Sequence, residues 1–253
     1  MSGGGFVRAV RFRPPEQAER APAYPWALPA IAAVASRADG LALHPAVTYL
    51  IGENGSGKST LLEAVAVAAG INPEGGSTNF RFSTRDSHSE VGEHASLVRG
   101  SRRPRTDFFL RAESLFTAAS YLDELARDPL DPGALDPYGG TSLHEQSHGE
   151  SFLAVMLNRF GANGLYLLDE PEAALSTQNC LTFLRRVHEL VRGGSQLLIA
   201  THSPIVLAYP EATIYACDES GIETVAYEDA EPVRLTERFL ASRERFLDAL
   251  FAD

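Results

Sequence analysis

Lysine is almost missing from this chain. Of its 22 basic side chains, Lys58 alone is lysine and all the others are arginine. Cysteine is nearly as scarce: Cys180 and Cys217 are the two present, with no C-x-x-C spacing. They read as reduced core or surface thiols rather than a disulfide, which fits a reducing compartment. No apolar run has the length of about 20 residues that crosses a bilayer. The longest apolar stretch, residues 21–36, has 16 residues and is broken by Pro22, Pro25 and Pro29. Met1-Ser2-Gly3-Gly4-Gly5 is followed by no apolar secretory core. Heptads and internal repeats are also missing, which excludes a coiled-coil arm. The expectation is a soluble cytoplasmic protein without direct membrane insertion.

What is abundant is acid. Net charge is −11 over 253 residues, and it is uneven. Residues 1–111 carry 13 basic and 10 acidic side chains (+3), and residues 112–253 carry 9 and 23 (−14). An acidic whole argues against a general nucleic-acid binder. Arg99-Gly-Ser-Arg102-Arg103-Pro-Arg105 is the one basic cluster suited to a polyanion. It reads first as a solvated loop or as partners for the acidic half. With 44% apolar residues in 27.3 kDa, the chain has material for one large α/β domain, or one with a small appendage.

The single lysine stands in Gly52-Glu53-Asn54-Gly55-Ser56-Gly57-Lys58-Ser59, which is G-x-x-x-x-G-K-[ST]. A compact ammonium fits between phosphate oxygens where a planar guanidinium does not. Residues 46–51 read as a buried strand entering the loop, and Thr60 to Ala69 as the helix leaving it. Glycines let several N–H groups point at one anion, and the helix N-terminus adds partial positive charge. This context predicts binding of a nucleoside triphosphate. No guanine-reading Asn-Lys-x-Asp is present, although that alone does not separate ATP from GTP.

Elsewhere, residues 6–12 alternate as a half-exposed strand and residues 30–38 suggest a short helix. Periodicity fades from Asn72 to Arg105, predicting an insertion of short strands and loops (72–106). Residues 107–127 read as helix, and the Pro- and Gly-rich run 128–140 as a boundary. A helix over about 149–160, a buried strand at 165–169, an amphipathic helix over 176–192 and a strand at 196–201 follow. Residues 213–217 and 223–227 suggest a hairpin, and about 232–251 a last helix.

Three further clusters carry chemistry. The apolar run Leu165-Tyr-Leu-Leu-Asp169-Glu170 is what a central parallel strand looks like when it ends at a nucleotide site. Asp169 can share Mg²⁺ with the Ser59 hydroxyl, and one of the two acids can take a proton from water; spacing does not say which. Ser147-His148-Gly149-Glu150 stands at a helix start, 22 residues before Asp169. His202 ends the strand Ala200-Thr201-His202. Singly, the last two read as a helix cap and a structural histidine.

In this order and spacing the four motifs resemble the ABC-type ATPases over roughly residues 6–217. The style of Asp169-Glu-Pro-Glu-Ala-Ala-Leu-Ser and Ala200-Thr-His-Ser-Pro is similar to the small stand-alone predicted AAA-family ATPases related to SMC and overcoming-lysogenisation-defect proteins. The resemblance implies an α/β P-loop NTPase fold: a central, mostly parallel sheet flanked by helices, an antiparallel β part and a helical signature subdomain. It implies one domain over residues 1–253, with the signature subdomain at about 107–160 and a C-terminal hairpin and helix at 213–253. Its implied activity is Mg²⁺-dependent ATP hydrolysis driven through head-to-tail homodimers.

By the same resemblance, ATP is held by Gly52 through Ser59 and by Thr60. Ser59, Asp169 and Glu113 hold the metal, Glu170 is the base, and His202 and Lys58 contact the γ-phosphate. Ser147, Gly149 and Glu150 form the signature that closes over a partner's nucleotide, with His148 where the family has glycine. Residues 173–176 occupy the D-loop position without its usual acid. Trp26 is the candidate for stacking on adenine and Tyr24 the reserve, with core packing as the competing role for Trp26. Glu113 is the candidate substitute for the Q-loop glutamine. Other readings are a transporter's energy subunit on a membrane partner, and a DNA-maintenance or defence module using arginines of residues 81–105.

Overall fold

Strands Val47–Gly52 (β3), Gly164–Asp169 (β6) and Gln196–Ala200 (β7) are buried almost end to end. Period two sends their side chains to two separate cores. Tyr49, Ile51, Tyr166, Leu168, Leu197 and Ile199 enter one cluster, while Leu50, Leu165, Leu167, Leu198 and Ala200 enter the other. A helix covers each face. Lys58–Ala69 (α3) contributes Leu61, Leu62 and Val65 to the second cluster; Thr177–Arg192 (α6) contributes Phe183, Val187 and Leu190 to the first. These relations come from a computed structural model that describes residues 4–20, 23–73, 75–77, 90–112, 115–126, 133 and 135–252.

The central sheet has six strands in the order β5-β6-β7-β3-β8-β9, where β5 is Thr106–Arg111, β8 Thr213–Asp218 and β9 Gly221–Val225. All neighbours are parallel except the hairpin β8–β9. A second, antiparallel sheet joins Leu41–Ala42 (β2), Val7–Phe12 (β1) and Ala95–Arg99 (β4). Gln196 fastens it to the central sheet: its side-chain amide accepts from Val7 N at 3.0 Å and donates to Val7 O at 2.7 Å and His44 O at 2.9 Å. Short helices Glu16–Arg20 (α1) and Pro29–Ala35 (α2) lie between β1 and β2. Leu115–Ala126 (α4) and His148–Ala154 (α5) lie between β5 and β6. Pro204–Leu207 (α7) follows β7, and Glu231–Ala241 (α8) and Arg243–Leu250 (α9) follow β9.

Several sequence-based expectations change. The expected helix over 107–127 is strand β5 followed by α4. Phe108 and Leu110 enter one core and Phe109 the other, because β5 adds to β6 with Arg111 opposite Asp169. Sheet pairing thus overrides a run whose local pattern also suits a helix. Within the expected insertion, β4 belongs to the antiparallel sheet, with Leu97 opposite Val10; residues 78–89 lie outside the described residues. The helix expected at 149–160 is α5 continued by a π-helical turn, Val155–Arg159. The last helix is broken at Ser242, whose backbone leaves the helical region (φ −144°, ψ 44°).

Candidate active site

Because β6, β7 and β3 are parallel neighbours, their C-terminal ends share one edge of the sheet, where ligands of open α/β folds bind. The loop after β3 turns into α3 there. Gly57 caps α3 in a left-handed conformation (φ 98°), and a Cβ on it would approach Leu28 Cβ at 3.1 Å. Gly52 is under tighter constraint: a Cβ would stand 2.0 Å from the Cys217 carbonyl oxygen on β8. Lys58 is buried, and its ammonium donates to the carbonyls of Gly52 (2.7 Å) and Glu53 (2.9 Å). Burial pushes its pKa down, opposed by the nearby Glu170 and Asp169 carboxylates. A cleft of about 140 Å³ opens over the loop, lined by Tyr24, Asn54, Gly55, Gly57, Lys58, Ser59, Thr60 and Glu170, with Leu28 at its side. Ser56 is buried beneath.

The acids of β6 reach the same place. Ser59 Oγ donates to Asp169 Oδ1 at 3.0 Å, joining positions 110 apart in sequence. Glu170 has a left-handed backbone (φ 50°), uncommon for a residue with a Cβ. Its N–H donates to Ala200 O at 3.0 Å, and Glu170 Oε1 lies 3.7 Å from His202 Nε2. That spacing is too long for a direct hydrogen bond. His202 Nε2 is shielded from solvent and has no hydrogen-bond partner among the described residues.

Ser147, Gly149 and Glu150 stand elsewhere, at the start of α5. Ser147 and Glu150 form a reciprocal capping box: Ser147 N and Oγ donate to Glu150 Oε2 at 2.9 and 2.6 Å. Those bonds hold the Glu150 carboxyl below its ordinary pKa. None of the three lines the cleft over the loop. A Cβ on Gly149 would approach Ala174 O at 2.8 Å, so this helix start presses against the turn that follows Glu170.

The aromatic assignment is corrected. Trp26 is 5% exposed and meets Phe12 (6.3 Å between centroids) and His94 (5.6 Å) in T-shaped contacts, so the whole ring is packed in the core. Tyr24, two residues away, is 74% exposed and lines the cleft. Glu113 lies outside the described residues. The basic run is partly spent on the fold: the Arg102 guanidinium donates to Asn163 Oδ1 and lies 5.0 Å over the Phe6 ring.

Two side chains at the site escaped the sequence analysis. Arg111, at the end of β5, lies 3.4 Å from Asp169 Oδ2 and 3.8 Å from Glu63 Oε2. Reading 107–111 as a strand would have brought its last residue to the same sheet edge. Glu172 reaches across to the backbone after β7: Oε1 accepts from His202 N at 2.5 Å and Ser203 N at 3.1 Å. Its one sequence signal was a third acid two positions beyond Glu170.

Known proteins resemble this chain over much of its length. Residues 47–111 match the family described as "AAA domain, putative AbiEii toxin, Type IV TA system". The cytochrome c biogenesis ATP-binding export protein CcmA of Rhodopseudomonas palustris is 29% identical over 191 residues, covering 70% of this chain and 90% of that protein. The CcmA of Rhizobium johnstonii is 31% identical over 173 residues, covering 62% of this chain and 76% of that protein. Among solved structures, CbiO1 of Clostridium perfringens, part of an ABC transporter complex, aligns over 85% of this chain and 94% of its own at 18% identity (TM-score 0.43). With a phosphate loop facing an Asp-Glu strand end, and with the Rhizobium johnstonii protein 31% identical and spanned over 76% of its length, the chain belongs to the ABC-type ATP-binding proteins and is an ATPase.

Proposed function

We propose that this ATPase works with Mg²⁺ and through ATP-driven head-to-tail pairing of two copies. The observation that carries the reading is the 3.0 Å bond between Ser59 and Asp169, which places a hydroxyl and a carboxylate together at the phosphate loop. Such hard oxygen donors suit Mg²⁺, which takes one or two protein ligands and completes its shell with phosphates and water. When bound, the ion would neutralise charge on the β- and γ-phosphates.

Lys58 and the amides of residues 53–59 hold the β- and γ-phosphates, the lysine leaving its carbonyl partners for phosphate oxygens. Tyr24 offers an exposed ring to the base. Glu170 accepts a proton from the attacking water as the new O–P bond forms and the bridging O–P bond breaks, leaving ADP and inorganic phosphate. His202, with an unpartnered nitrogen beside Glu170, donates to the γ-phosphate. Ser147, Gly149 and Glu150, which stand apart from the cleft of their own chain, serve the nucleotide of the second copy. The test is Glu170→Gln, which keeps the shape and removes the base. We expect slow turnover and a dimer by sedimentation velocity with ATP and Mg²⁺. A variant that binds ATP and stays monomeric refutes the pairing.

A second reading is favoured by the relatives' names, which describe ATP-binding export proteins. In it the chain is the energy subunit of a membrane transporter, docked on a partner that spans the bilayer. No helix among the described residues is long and apolar enough to cross a membrane. ATP turnover that appears only with a membrane fraction supports this reading; full turnover without one supports the first.

A further inference from the structure

Glu170 and His202 sit on loops that leave adjacent parallel strands, β6 and β7. Strand pairing ends with Asp169 opposite Ala200 and one further bond, Glu170 N to Ala200 O at 3.0 Å. Beyond that point both chains turn away from the sheet. Pro171–Ala174 forms a 3₁₀ turn, and Ser203 opens α7. Glu172 spans this gap, and the Ser203 N–H also donates to Thr201 Oγ1 of its own loop at 3.0 Å. Glu172 Oε1 accepts hydrogen bonds from the backbone N–H groups of both His202 (2.5 Å) and Ser203 (3.1 Å). A carboxylate taking two N–H groups on one oxygen makes a strong, directional tether.

The rest of Glu172 gives it little freedom to do anything else. Its Oε2 is shielded from solvent and has no hydrogen-bond partner among the described residues. Its neighbours behind are Ser203 and the buried thiol of Cys180 on α6, whose pKa is raised by burial and then by the Glu172 charge. A buried carboxylate oxygen left without a donor is costly, and the double acceptance by Oε1 offsets that cost.

We propose that Glu172 is a positioning residue: by holding the backbone of His202 and Ser203 it sets the distance between the His202 ring and the Glu170 carboxylate. The inference rests on the reading of Glu170 and His202 given above. It makes Glu172 act through His202, without touching nucleotide itself. Loss of the tether lets the His202 loop drift, and misplacement by about 1 Å costs on the order of 100-fold in rate. Nucleotide affinity, which depends on the loop at 52–60, stays close to that of the wild type.

The experiment is a double-mutant cycle of Glu172→Ala and His202→Ala, with Glu172→Gln as the conservative variant, reading kcat and KM for ATP and the Kd of a nonhydrolysable ATP analogue. Expected are a fall in kcat of about 10- to 100-fold in Glu172→Ala with KM and Kd nearly unchanged, and little further loss in the double variant. Glu172→Gln keeps a carbonyl oxygen for both N–H groups and should stay within about threefold of wild type. It also keeps the packing, so it tests the idea if Glu172→Ala folds poorly. Multiplicative losses in the double variant, or a Glu172→Gln variant as slow as a folded Glu172→Ala, overturn the proposal. If His202→Ala alone slows turnover while the losses multiply, the role of Glu172 falls and the reading of His202 stands; if His202→Ala is without effect, both fall.

Discussion

Tyr24 and Trp26 are two residues apart, and the proposed function gives them opposite jobs that one pair of alanine substitutions separates. Trp26 is 5% exposed and makes T-shaped contacts with Phe12 and His94. Truncating a buried tryptophan to alanine costs about 3–5 kcal/mol. At about 2–4 °C per kcal/mol for a domain of this size, Tm should fall by roughly 6–20 °C. The Trp26 indole N–H is itself buried without a partner among the described residues, so Trp26→Phe should be much milder. Tyr24 is 74% exposed, so Tyr24→Ala should change stability by no more than about 0.5 kcal/mol. It removes the platform for the base, worth about 1–3 kcal/mol of stacking. That is a Kd about 5- to 150-fold weaker. Trp26 is the sole tryptophan, so unfolding of all variants should be followed by circular dichroism and binding by calorimetry well below the lowest Tm. A Trp26→Ala protein that keeps its Tm and loses nucleotide binding, or a Tyr24→Ala protein that binds normally, refutes the assignment.

Two more outcomes follow from the loop's packing. Gly52→Ala places a methyl 2.0 Å from the Cys217 carbonyl at a positive φ, so the loop must shift. The conformation alone costs about 1–3 kcal/mol, and binding of the ATP analogue should fall with it. Burial pushes the Cys217 thiol from 9.0 up to about 12. The native protein keeps that proton where the unfolded chain releases it, so this thiol's contribution to stability is complete below about pH 9 and declines as pH rises toward about 12. Cys217 should resist alkylation at pH 8 until denaturant is added, and rapid labelling of the folded protein contradicts the burial.

By itself the chain determined the phosphate loop, the acids that end β6 and the histidine after β7. Each is carried by residues near one another in sequence: a glycine spacing around the single lysine, or an apolar run long enough to be a doubly buried strand. Local patterns of this kind survive whatever the rest of the molecule does. Tertiary structure alone decided that Phe108, Phe109 and Leu110 form a strand, because β5 pairs with β6 on one side, Phe109 exchanges both backbone bonds with Gly76 on the other, and their alternation appears only against two cores. It alone decided that Trp26 is buried and Tyr24 exposed, since two aromatics two positions apart carry no local signal of which one the core takes. The same holds for Arg111 and Glu172. One reaches Asp169 across a sheet and the other reaches amides 30 residues away, and contacts of that range leave no period or spacing in the sequence.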